Sequence, residues 1–124
     1  MPSGFWRSGN FSVGGFLVQE SIKTGLTAFA GGGQASATAL TGAVNVVSTV
    51  GSAGDSVLLP IVPLGAEVTI KNTSANSLNV FPRSGGNIDG ASADAAEALA
   101  AGVGAIFKCV AINATTGAAS WIAV

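Results

Sequence analysis

The chain has no histidine, one cysteine and very little charge. Without histidine it lacks the commonest general base and the commonest metal-binding imidazole, so no Ser-His-Asp or Cys-His nucleophilic arrangement can be built from it. Cys109 has no partner in the chain, which excludes an internal disulfide framework and fits maturation in a reducing cytosol. Its near neighbours are Phe107, Val110 and Lys108, with the lysine pointing to the opposite strand face, so it reads as a buried structural thiol rather than a nucleophile.

Charged residues make up 9% of the sequence, against roughly 25% in an ordinary soluble domain. The five cations, Arg7, Lys23, Lys71, Arg83 and Lys108, are scattered singly and the formal net charge is -1. No basic stripe is available to neutralise phosphates, so nucleic acid is not an expected partner. Of the acids, only Asp94 and Glu97 lie close together, and their spacing suits a helix-capping pair better than a catalytic dyad. Asp55 and Asp89 stand alone in turn-like contexts, where an aspartate bonds its own backbone, so no metal site and no cofactor are expected. An enzyme is not the expected reading.

Long hydrophobic runs are missing too. The longest candidate, residues 98 to 107, is broken by Gly102 and Gly104 and falls short of the roughly 20 residues of a membrane helix. Residues 1 to 15 are too rich in Gly, Ser and Asn for the apolar centre of a secretory signal, so export is not expected.

What the chain does have is glycine, alanine, serine, threonine and asparagine. A surface covered by small neutral side chains offers little repulsion between copies, which favours association over solitary solubility. Length sets the scale: 124 residues make one domain able to bury roughly two-thirds of its unfolded surface without staples.

The triplet Gly31, Gly32 and Gly33 divides the sequence, since three adjacent residues without Cβ atoms suit a hinge. Residues 1–33 are expected to form an extended N-terminal arm and residues 34–124 a β domain. The arm holds Phe5, Trp6, Phe11, Phe16 and Phe29, five of the chain's eight aromatic residues. Phe5, Trp6, Phe11 and Phe16 are interleaved with glycines, so they suit anchoring in a partner's grooves better than building a core. In the other reading, residues 11 to 18 add an edge strand to the chain's own domain.

Beyond the triplet, short runs rich in Val, Ile, Leu and Thr alternate with Gly, Asn, Asp, Ser and Pro. That pattern predicts strands at residues 35–40, 44–50, 56–60, 66–72, 78–82, 104–112 and 120–124. Val68 and Ile70 alternate with Glu67, Thr69 and Lys71, as in a strand with one wet face. Residues 104–112 are apolar on both faces, so that strand is expected to be central or covered by a neighbouring subunit. A short helix is expected from Asp94, with Glu97 closing a capping box and Gly102 ending it. Seven strands in about 90 residues predict an all-β, jelly-roll-like β-sandwich.

The order Leu40-Thr41, Val57-Leu58-Leu59-Pro60, Gly65, Val68-Thr69-Ile70-Lys71-Asn72, Leu78-Asn79-Val80-Phe81-Pro82, Gly85, Ile88-Asp89-Gly90 and Trp121 resembles small β proteins of tailed bacteriophages. The resemblance covers about two-thirds of the chain and is carried by strand and turn residues, so it speaks to a scaffold more than to a task. It implies a capsid decoration, or cement, protein: a homotrimer made in the host cytoplasm that binds the major capsid protein on the virion surface. It transfers no catalytic residue. A tail or fibre component with the same scaffold is the alternative, and a carbohydrate-binding module a more distant one, with Phe81, Phe107 and Trp121 as its only aromatic residues after the triplet.

Overall fold

The computed structural model describes residues 12–13, 16–17, 21–31 and 33–124. Two short strands, β1 (Ser12–Val13) and β2 (Phe16–Leu17), pair antiparallel with each other. The chain then alternates between two larger sheets. It lays down β3 (Ile22–Thr27), β4 (Thr38–Ala39), β5 (Val44–Thr49), β6 (Ser56–Leu58), β7 (Glu67–Asn72) and β8 (Leu78–Phe81). It closes with β9 (Asn87–Ile88), β10 (Glu97–Leu99), β11 (Gly104–Ile112) and β12 (Ala119–Ala123). The six-stranded sheet runs β3-β5-β7-β11-β12-β9 and the four-stranded sheet β10-β8-β6-β4. The all-β, two-sheet architecture is therefore the one that the alternating pattern predicts.

The connectivity has its own character. β3, β5 and β7 are parallel neighbours in one sheet while β4, β6 and β8 are parallel neighbours in the other. Each circuit of the chain thus adds one strand to each sheet beside the strand of the circuit before, as in a short coil. The end of the chain abandons this path: β11 pairs antiparallel with both β7 and β12. A jelly roll is built from antiparallel Greek keys, whereas here the first three circuits pair in parallel. Strand composition cannot reveal this, because the same β-branched residues serve either direction.

The core lies between the sheets. Val47, Val68, Ile70, Phe107, Cys109 and Trp121 face it from the six-stranded sheet, and Val57, Leu78, Val80 and Leu99 from the four-stranded one. Burying each such side chain contributes about 1.5–3 kcal/mol relative to leaving it in water. Polar groups inside are satisfied. The Asn72 amide nitrogen donates to the carbonyls of Asn76, Leu99 and Ala100 at 2.8, 3.0 and 3.2 Å, while its oxygen accepts from Ser74. Since Asn72 ends β7 and Leu99 ends β10, this one side chain ties the two sheets together. Asn45 similarly clasps the turn before β5, donating to the Gly42 carbonyl and accepting from the Gly42 amide.

Three expectations need correction. First, the sandwich does not begin at residue 34, because β3 lies upstream of the glycine triplet and forms an edge of the six-stranded sheet. Gly31 is held rather than hinged: at φ +67° it donates its amide to Asp55 Oδ1 at 3.0 Å. Second, residues 94–102 are not helical. Asp94 sits at φ +68°, which a helix start forbids, and Glu97–Leu99 pair antiparallel with β8. Third, the predicted strand at 35–40 is a 3-10 turn, Gln34–Ser36, followed by the two-residue β4.

Candidate functional site

Among the described residues no group of three or more Cys, Asp or Glu side chains could hold a metal ion. No described helix is long and apolar enough to cross a membrane. Cys109 is fully buried, with Sγ 3.8 Å from the Ala111 carbonyl. The carboxylates are engaged locally. Asp55 accepts from the Gly31 and Ser52 amides, and Asp89 from the Ala123 amide. Asp94 accepts from the Gln34 side chain at 2.8 Å and the Gly85 amide at 2.7 Å, and these bonds, the Gln34 one foremost, hold its carboxyl below the usual carboxylate range. These three aspartates serve as clasps between segments of the chain, and the feature that stands out is apolar surface.

Among the described residues that surface is concentrated at two places. At one end of the sandwich a cavity of about 440 Å³ is lined by Pro60, Ile61, Val62, Arg83, Ile112 and Trp121 among others. A β-bulge creates part of its wall. Between Cys109 and Ala111 the register of β11 against β12 slips by one residue, so that Cys109 faces Trp121 and Ile112 faces Ala119. A one-residue slip moves a side chain to the other face of a sheet. Ile112 therefore turns to the side of Ala119 and Trp121, away from the outer face on which simple alternation puts it. Arg83 is oriented here by its Nε donating to the Leu59 carbonyl at 3.1 Å. The neighbouring loop carries Ile61, 83% exposed, and Leu64, 64% exposed.

The second place is the outer face of the six-stranded sheet. Ile22, Ile106, Val110, Ile122 and Val124 are all exposed there, and Lys108 forms an ion pair with Glu67 at 3.6 Å. Residues 104–112 were expected to be central or covered by a neighbour. β11 is indeed interior to its sheet, between β7 and β12, yet within the described residues its outer face is open.

The proposed anchors fall elsewhere. Phe5, Trp6 and Phe11 lie outside the described residues, and Phe16 is described by its backbone alone, opposite Val13. Sequence reasoning missed Ile22, Ile122 and Val124 as surface features. The signal for them was weak, because an exposed aliphatic residue in a short strand looks the same as a core residue until the sheet order is known. Phe107 and Trp121 are buried, Phe81 is partly so and Phe29 is 46% exposed, so the described residues present no broad aromatic platform of the kind that sugar stacking needs.

Comparison with known proteins adds no relative. No protein-family model matches the chain, and no curated protein and no solved structure is significantly similar to it.

Proposed function

We propose that the chain is a structural virion protein, without enzymatic activity, that binds the outer surface of a phage capsid as a homotrimer and stabilises the lattice. The observation that carries the reading is the pairing of scarce charge with large exposed aliphatic side chains on a sandwich whose polar groups are used internally. Such a molecule has surface for partners and no assembled chemistry for a substrate. The order of strand and turn residues, which resembles phage decoration proteins, gives the partner its class.

The mechanism is mass action. A protein that binds only the assembled shell stabilises it by RT ln(1 + [L]/Kd) per site, about 2.7 kcal/mol at a hundredfold excess over Kd. Over many sites, and with three subunits acting together, modest contacts suffice. The segment upstream of β3 supplies aromatic anchors, with Phe5, Trp6, Phe11 and Phe16 contacting a neighbouring subunit or the major capsid protein.

The test is light scattering of the purified protein followed by co-sedimentation with empty heads of the phage that encodes it. A trimer that pellets with heads and raises the temperature at which they open supports the reading. A protein that stays in the supernatant with heads but sediments with isolated tails overturns it in favour of a tail component.

A further inference from the structure

We infer that the outer face of the six-stranded sheet is the surface through which copies of this chain bind one another. The inference deepens the assembly reading above and rests on it for taking the partner to be a copy of the same chain.

The strand registers place one continuous row of side chains across that face. Ile22 lies opposite Val44, Val44 opposite Thr69, and Thr69 opposite Ile106. Ile106 and Val124 then exchange reciprocal backbone bonds of 3.1 and 2.8 Å. Paired residues share a face, so the row crosses five strands, or about 19 Å at the usual strand spacing. Four of its five members are aliphatic. Ile22 is 56% exposed, Ile106 38% and Val124 72%. Ile122 extends the patch toward the ion pair, since it lies opposite Lys108, which in turn lies opposite Glu67.

Ionic groups on this face already have partners within the chain. Lys108 pairs with Glu67, and Lys71 Nζ donates to the Gly102 carbonyl at 2.6 Å. Covering the Lys108–Glu67 pair therefore strands neither charge, and Lys71, near the end of β7 away from that pair, can keep its ammonium in water at the rim. The net charge is small, and a second copy of a near-neutral chain adds none to be buried. Sheet faces stack at about 10 Å through interdigitating aliphatic side chains.

The size fits as well. The five longer strands span roughly 24 Å by 20 Å, so about 500 Å² per copy and about 1,000 Å² in total would be covered, near the lower bound of a specific interface. With a net charge of -1, copies bring almost no mutual repulsion to the encounter.

The experiment is sedimentation analysis of the full chain over a range of concentrations, for the wild type, Ile122→Glu and Ile61→Glu. Ile61 is the control, being the most exposed large aliphatic residue described and placed in a loop away from this face. The expected result is an oligomer for wild type and Ile61→Glu and at least tenfold weaker association for Ile122→Glu with an unchanged circular dichroism spectrum. An oligomer that Ile122→Glu leaves intact overturns the inference, and so does a wild type that stays monomeric. Should Ile122→Glu fail to fold, maleimide labelling of Ile122→Cys decides, because Cys109 is buried and contributes little background. Labelling that slows at least tenfold as the protein associates supports the interface. Equal labelling of monomer and oligomer overturns it, and protection already present in the monomer assigns the face to the chain's own upstream segment instead. None of these readouts involves capsids, so the interface and the cement role fail separately.

Discussion

The two outer faces of the sandwich are built from the same kind of strand but differ in how much aliphatic side chain they leave open. Across the four-stranded sheet one row reads Ala98, Asn79, Ser56, with Ser56 fully buried, and the next reads Phe81, Leu58, Ala39, with Phe81 and Leu58 partly covered. Across the six-stranded sheet the row reads Ile22, Val44, Thr69, Ile106, Val124. Exposed aliphatic residues scattered singly are ordinary, but a contiguous patch on a small domain marks a place where something binds. The difference shows that a strand pattern alone does not define the surface. Neighbours in the sheet decide whether an outward residue stands alone or joins a row.

The sharpest way to break this comparison uses adjacent residues of β11 that point to opposite faces. Phe107→Ala empties a fully buried site and is expected to cost about 3–5 kcal/mol of folding stability in urea denaturation. Ile106→Ala, one residue earlier, should change the folding stability of the monomer by about 1 kcal/mol or less and act mainly on self-association. If the two substitutions cost the monomer the same, the outer face of this sheet is not open.

A second substitution separates the sheets from each other. Asn72→Ala removes three donations, among them the one to the Leu99 carbonyl, while the Ala100 carbonyl keeps the Val103 amide, at an expected cost of about 1–3 kcal/mol. Hydrogen exchange should show the amides of β10 opening first, because that strand loses its tie to β7. Gly86→Ala probes the loop beside the six-stranded sheet's edge: its Cβ would lie 2.5 Å from the Ala119 carbonyl oxygen, so backbone must move. An expected loss of about 1–3 kcal/mol is readable as a lower melting temperature.

On the outer face of the smaller sheet, Ala98→Lys is expected to leave stability within about 0.5 kcal/mol and the oligomer unchanged. A loss of association there would move the interface to the wrong sheet. The smallest effect is that of pH at Asp94. Its carboxyl is held below the usual range in the folded chain, so the stabilisation is present above the unfolded value and is lost as pH falls through the folded one. The group is exposed, so the slope should be slight, and Asp94→Asn should flatten it in acid titrations of melting temperature.

Some of this architecture is plain in the residues. β7 is legible because its two faces differ: Val68 and Ile70 are buried while Glu67 and Lys71 are exposed. β11 matches its predicted bounds, residues 104–112, through the density of branched and aromatic residues. β3 was hidden, since it is an edge strand with Ile22, Lys23, Thr24 and Gly25 all exposed and so shows no apolar alternation. β10 was mistaken for a helix because an aspartate followed three residues later by a glutamate looks like a capping box, whereas Asp94 uses its carboxylate to hold Gly85 and Gln34. The outer patch was half legible. Apolar character on both faces of residues 104–112 pointed to it, but Ile22, Ile122 and Val124 join it only through register.

By itself the sequence determined the class of this protein: an all-β chain of low charge, with no histidine chemistry, no disulfide and strands whose composition demands burial on at least one side. These follow from composition and period, which act locally along the chain. Only the tertiary structure decided that successive circuits pair in parallel, that a bulge after Cys109 turns Ile112 toward Trp121, and that residues brought together from across the six-stranded sheet, four of the five aliphatic, align in one row. Those outcomes depend on pairings between residues some twenty or more positions apart, where register is set by how both sheets close around a shared core and not by any local preference.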